Sequence, residues 1–156
     1  MARFAPVPLA VLACAALAFA GCSSSEDDQA PSACLAGPNA YIAALQSAPS
    51  EVRLDGDTPI SECLTPEQEG GELAQVGKSM IEAATQLNSK AQGDPDAPEV
   101  VQLGYLTGAV ERGADSIHAD LVRRLSTAAQ YSESGAPSAE FVRTFGEGYA
   151  AGKETG

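Results

Sequence analysis

From Leu73 to Ala128 the apolar and small residues of this chain recur every three or four positions, a spacing that commits this stretch to packed helices. Leu73, Val76, Met80, Ala84, Leu87 and Ala91 are separated by 3, 4, 4, 3 and 4 residues. They form one stripe along an α-helix, and a partner must cover it. Ahead of the stripe, Thr65-Pro66-Glu67-Gln68 offers a cap residue, a proline at the first helical position and a Gln three residues past the cap, which is a capping-box start. Gly93-Asp94-Pro95-Asp96-Ala97-Pro98 breaks this helix and starts another, with Asp96 as the expected cap and Glu99 three residues on. The stripe then resumes through Leu103, Leu106, Val110, Ala114, Ile117, Leu121, Leu125 and Ala128. That run predicts one helix from Glu99 to about Ser132, roughly 50 Å long. The turn between the two long helices is short, so they are expected to be antiparallel neighbours.

The flanking segments predict shorter elements. Asn39 to Ala48 places Tyr41, Ile42 and Leu45 on one helical face, with Pro49 as its stop. Residues 49–64 read as a connecting loop. Within it, Asp55-Gly56-Asp57-Thr58 is an Asp-Gly turn, because the further oxygen ligands and closing Glu of a calcium loop are missing. After a second turn at Gly135-Ala136-Pro137-Ser138, Phe141, Phe145 and Tyr149 recur at i, i+4 and i+8 and give a last helix an aromatic stripe. No segment shows the alternation of a strand. The expected fold is all-α: a small bundle built on a long antiparallel helical hairpin, with a short N-terminal helix, a C-terminal helix and one disulfide.

The N-terminus carries an address. Arg3 precedes an apolar run from Val7 to Ala20, 14 positions long, whereas a membrane-spanning helix needs about 20. The layout is that of a cleavable secretory signal. Its last residues, Phe19-Ala20-Gly21-Cys22, resemble the lipobox of bacterial lipoproteins. The resemblance implies that the Cys22 thiol takes a diacylglycerol, that residues 1–21 are cut away, and that the mature chain is held to a membrane on its extracytoplasmic side. It covers the export segment alone and implies neither a fold nor an activity. Residues 22–33 are polar and acidic and read as a tether, whose 11 residues after the cysteine reach on the order of 20 Å as a coil. Residues 34–156 then form a single domain.

Once Cys14 leaves with the signal and Cys22 is lipidated, Cys34 and Cys63 are the two remaining thiols, in an oxidising compartment, and a disulfide is expected between them. A metal or redox pair is the rival reading. Against it stand the 28 intervening residues, unlike Cys-x-x-Cys, and a single His in the whole chain. Removing the signal takes one base and no acid, so 8 basic and 21 acidic residues leave a mature charge of −13. Such a surface repels phosphate backbones and anionic headgroups, which argues against nucleic acid as a partner and leaves membrane attachment to the lipid.

Candidates for chemistry are few. Glu111, Asp115 and His118 fall at i, i+4 and i+7 of the long helix, beside its apolar stripe. They read first as a solvated flank. As a functional cluster they would form a ligand face, with the carboxylates holding the imidazole as a cation. Gly104 and Gly108 lie on the same side and together cost about 2 kcal/mol relative to alanine, so a close approach should compensate, with Gly146, Gly148 and Gly152 of the last helix as the opposing surface. Those glycines should also weaken the end of that helix. The chain has no nucleophile elbow, no zinc-protease motif and no phosphate loop. No catalytic residue, metal ligand or cofactor is assigned. The expectation is a lipid-anchored, non-enzymatic interaction or accessory module of a bacterial cell envelope with an envelope protein as partner. The alternative is a small-ligand or metal-binding lipoprotein that uses the Gly104, Gly108, Glu111, Asp115 and His118 face.

Overall fold

A computed structural model describes residues 29–130 and 136–156. The expected signal segment, Cys22 and most of the expected tether lie outside the described residues, as do positions 131–135 between the last two helices. Among the described residues the fold is mostly helical: α1 (Pro38–Ala44), α2 (Gly70–Ala91), α3 (Pro98–Gly113), α4 (Ala119–Ala129) and α5 (Ala139–Thr155). No helix among them is long and apolar enough to cross a membrane.

The α2 stripe behaves as its spacing requires. Val76, Met80, Ala84, Leu87 and Ala91 are buried, and Leu73 packs at their edge. The start of α2 differs from the expectation, because the helix begins at Gly70 and Gln68 caps nothing. Instead the buried Gln68 side chain donates from Nε2 to the Cys63 carbonyl at 3.1 Å. Asp96 is likewise not a cap. Pro98 opens α3 after Ala97, and Asp96 Oδ1 accepts from Arg143 Nη2 (2.9 Å) and Thr144 Oγ1 (3.2 Å) of α5. A carboxylate that sequence places at a helix start is used to join two helices.

The 50 Å helix is not formed. The chain leaves α3 at Gly113, runs extended through Ala114 and Asp115, and restarts through a 3-10 turn at Ser116–His118 into α4. Two local causes are visible. A Cβ on Gly113 would lie 2.1 Å from the Ser61 carbonyl oxygen, so this residue is pressed against the turn Ile60–Cys63. Asp115 then caps the new start, its Oδ1 accepting from the Ile117 amide (3.1 Å) and the Ser116 hydroxyl (3.1 Å). The break shifts the phase of the apolar stripe: Ile117 is 45% exposed and His118 takes the buried place.

The dominant helix pair is α3 with α5, not a hairpin of two long helices. Gly104 faces the backbone of Phe145 and Tyr149, and Gly108 faces that of Tyr149 and Lys153. Reciprocally, Gly148 faces Val101 and Tyr105, and Gly152 faces Tyr105 and Ala109. The numbers rise together, so the two helices run parallel, backbone against backbone. A Cβ at any of these four glycines would sit 2.0–2.3 Å from a carbonyl oxygen of the other helix. The absent side chains bring Cα–H groups up to those carbonyls, and this offsets the intrinsic cost of glycine in a helix. Gly146, also expected on this seam, looks into open space.

Nor does the end of α5 loosen. The helix continues to Thr155, Arg112 Nη1 donates to the carbonyls of Lys153 (2.8 Å) and Glu154 (2.7 Å), and Ser61 Oγ donates to the carbonyl of a buried Gly156. These side chains satisfy carbonyls that a helix end otherwise leaves orphaned.

Cys34 and Cys63 are bonded, with Cα atoms 5.5 Å apart and both residues fully buried. The connecting segment also contains a small hairpin that periodicity did not show, Arg53–Leu54 (β1) antiparallel to Thr58–Pro59 (β2). Asp55 (φ 51°) and Gly56 (φ 82°) turn it, and the Asp57 amide donates to the Leu54 carbonyl at 3.1 Å. The register leaves Asp55, Gly56 and Asp57 as the connecting loop, and Asp-Gly supplies the two successive positive φ values at the centre of its turn. Tyr105 then ties three regions together: its hydroxyl accepts from the Val52 amide at 3.0 Å and hydrogen-bonds Thr155 Oγ1 at 2.8 Å.

The ordered fold begins earlier than composition suggests. Ala30 and Ala33, placed in the tether by their polar surroundings, are buried, and the Ala30 amide donates to Glu72 Oε2 at 3.2 Å. The last residues before Cys34 are part of the folded body.

Candidate functional site

The structure scatters the expected ligand face. Gly104 and Gly108 are covered by α5, while Asp115 and His118 belong to the cap that starts α4. Glu111 points elsewhere, and its Oε2 accepts from the Tyr149 hydroxyl. Among the described residues no three His, Cys, Asp or Glu side chains gather closely enough to hold a metal ion.

His118 is placed by the helix break. Its Nδ1 accepts from the Asp115 amide at 3.0 Å, closing a reciprocal capping box. The ring proton is therefore on Nε2, which is buried with no hydrogen-bond partner among the described residues. Burial pushes the imidazole below its ordinary pKa, and the Asp115 carboxylate opposes this more weakly. The shift runs opposite to the one expected of a histidine held as a cation by neighbouring carboxylates. Asp115 is itself held below the usual carboxylate range, first by the Ile117 amide and then by the Ser116 hydroxyl.

A pH dependence follows. The unfolded chain takes up a proton on this His below about pH 6.5, whereas the folded chain resists protonation, so the unfolded state binds more protons there. The His118 contribution to stability should be level above about pH 6.5 and fall on acidification. The Asp115 contribution has the same sign but is lost only at lower pH, below its ordinary 3.8. Urea unfolding between pH 7.5 and 5 should show the fall in the natural chain and a much flatter profile in His118→Gln. Parallel profiles would show that His118 is not its source.

Glu111 instead borders a groove of about 370 Å³ between α3, α4 and α5. One wall is the aromatic stripe of α5. Phe141, Phe145 and Tyr149 are stacked, with ring centroids 5.8 and 6.4 Å apart. Phe141 is buried and the other two rings are half-buried. Thr107 and Glu111 of α3 and Ser126 and Ala129 of α4 also line the groove. Tyr149 donates to Glu111 across the groove, and this bond raises the Tyr149 pKa. The aromatic spacing was visible in sequence. That the rings stop short of full burial was not, because it depends on how α4 leaves the break at Gly113. A second hollow beside Gly77, Ile117 and Arg124 measures about 110 Å³, too small for an ordinary ligand site.

No protein-family model matches the chain, and neither the curated proteins nor the solved structures include a significant match.

Proposed function

We propose that this protein is a lipid-anchored, extracytoplasmic bacterial lipoprotein whose folded domain serves as a non-enzymatic interaction or accessory module of the cell envelope. The observation that carries the reading is the Ala20-Gly21-Cys22 ending of an apolar run too short to span a bilayer. The buried Cys34–Cys63 disulfide supports it, since such bonds persist in oxidising compartments. With the folded body starting at Ala30, the tether reduces to seven residues, Ser23 to Gln29. The domain is then presented close to its membrane, and its acidic surface keeps it from lying on anionic headgroups. Cys22→Ser should move the protein from the membrane fraction to the soluble extracytoplasmic fraction. Continued lipid labelling of that variant would refute the anchor.

A second reading, a small-ligand-binding lipoprotein, draws on the groove between α3, α4 and α5. Of the face expected from sequence it retains Glu111 alone and adds the α5 aromatics.

A further inference from the structure

We propose that the α3–α4–α5 groove binds a small organic cation, its charged head against Glu111 and its apolar body against Phe145 and Tyr149. This rests on the ligand-binding reading and names the ligand's class. The groove, at about 370 Å³, falls in the lower part of the range of small-molecule sites, roughly 300–1,000 Å³. A group of that size must meet both an apolar wall and a charge. The wall is aromatic, with Phe141, Phe145 and Tyr149 stacked on one another, and it supplies apolar contact for the body of such a ligand.

The charge is Glu111. Its Oε2 is engaged by Tyr149, and among the described residues no lysine or arginine pairs with either oxygen. The neighbouring Arg112 is committed to the carbonyls at the end of α5. A half-buried carboxylate beside aromatic side chains, without a cation of its own among the described residues, is complementary to an ammonium group. The chain's net charge of −12 reinforces that sign. An anion would meet Glu111 and the same field unfavourably. A neutral apolar ligand would fit the rings but leave Glu111 desolvated and unpaired. Thr107 and Ser126 add hydroxyl oxygens, and the Thr107 proton is already donated to the Leu103 carbonyl at 2.8 Å, so this hydroxyl presents an acceptor to the groove.

Calorimetric titration of the full mature protein in non-ionic detergent, with benzyltrimethylammonium, its uncharged carbon isostere and benzoate, tests the proposal. The cation should bind one to one and at least ten-fold more tightly than the isostere, with no binding of benzoate. Glu111→Gln should remove that preference, whereas Glu67→Gln, which makes the same charge change at an exposed site outside the groove, should leave it intact. Equal binding of cation and isostere, or equal loss in both variants, would overturn the cationic class while leaving a ligand groove in place. No saturable binding of any probe would overturn both. Comparing cation with isostere on the natural chain decides the matter even if Glu111→Gln does not fold.

Discussion

Replacing Gly148 with alanine should destabilise the protein by about 2 kcal/mol, although alanine is the better helix former. Its Cβ would lie 2.0 Å from the Val101 carbonyl oxygen and 2.9 Å from the Tyr105 amide nitrogen. Both are backbone atoms of a packed helix, so the contact can be relieved only by moving α3 and α5 apart. The intrinsic gain from Gly to Ala is about 1 kcal/mol, and overpacking of a close-packed seam typically costs 1–3 kcal/mol or more. The collision should win, lowering the melting midpoint by roughly 10 °C. Gly104→Ala should behave alike, its Cβ falling 2.1 Å from the Phe145 carbonyl oxygen. Gly146→Ala is the control on the same helix. It meets nothing within 4 Å and should stabilise by up to about 1 kcal/mol. Thermal unfolding of the three variants reads the difference directly. Equal effects at Gly146 and Gly148 would mean that the glycines act through helix propensity and not through close approach.

The second large effect is expected at the disulfide. Cys34→Ala with Cys63→Ala should cost about 3 to 4 kcal/mol, because the bond closes a loop of about 30 residues and limits the freedom of the unfolded chain. What that loop holds explains why the loss should be felt throughout. Between the cysteines lie α1, the β1–β2 hairpin and the Ile60–Cys63 turn that presses on Gly113. The Tyr41 hydroxyl donates to the Cys34 carbonyl at 2.9 Å and Gln68 donates to the Cys63 carbonyl at 3.1 Å. These bonds use main-chain acceptors and survive the substitution, as does the bond from the Ala30 amide to Glu72 of α2, so the N-terminal layer should loosen without being released from α2. Urea unfolding of the double variant against the natural, disulfide-bonded chain should show a midpoint shift of that size. An unchanged midpoint would locate the domain's stability entirely in its helices.

How far the sequence foretold the molecule depends on how local each determinant is. The α2 stripe was legible because one unbroken periodicity lies within one element. The glycine seam was legible in part: the cost of Gly104 and Gly108 called for a close partner, and Gly148 and Gly152 supply it. That the helices run parallel was not legible, since it depends on the path of the chain through α4. The break at Gly113 was hidden because Val110, Ala114, Ile117 and Leu121 keep helical spacing across it. The signal that could have exposed it is Gly113 followed closely by Asp115 and Ser116, residues that favour caps over helix interiors. Missing that break also mislaid the site, because a continuous helix puts Glu111, Asp115 and His118 on one face. The break sends Asp115 and His118 into a cap and leaves Glu111 to the groove. The β1–β2 hairpin escaped because strands of two residues have no period to detect. Ala30 and Ala33 escaped because small residues in polar company carry no sign of burial until a neighbouring helix covers them.

The proposed address is the centre of the functional account, and intact-mass analysis of the protein extracted from membranes of the organism that makes it is its most direct measurement. The account predicts a chain that begins at Cys22, carries a diacylglyceryl group on that residue, and loses two hydrogens to the Cys34–Cys63 bond. A chain that retains Met1, or one that begins elsewhere with Cys22 unmodified, would contradict it.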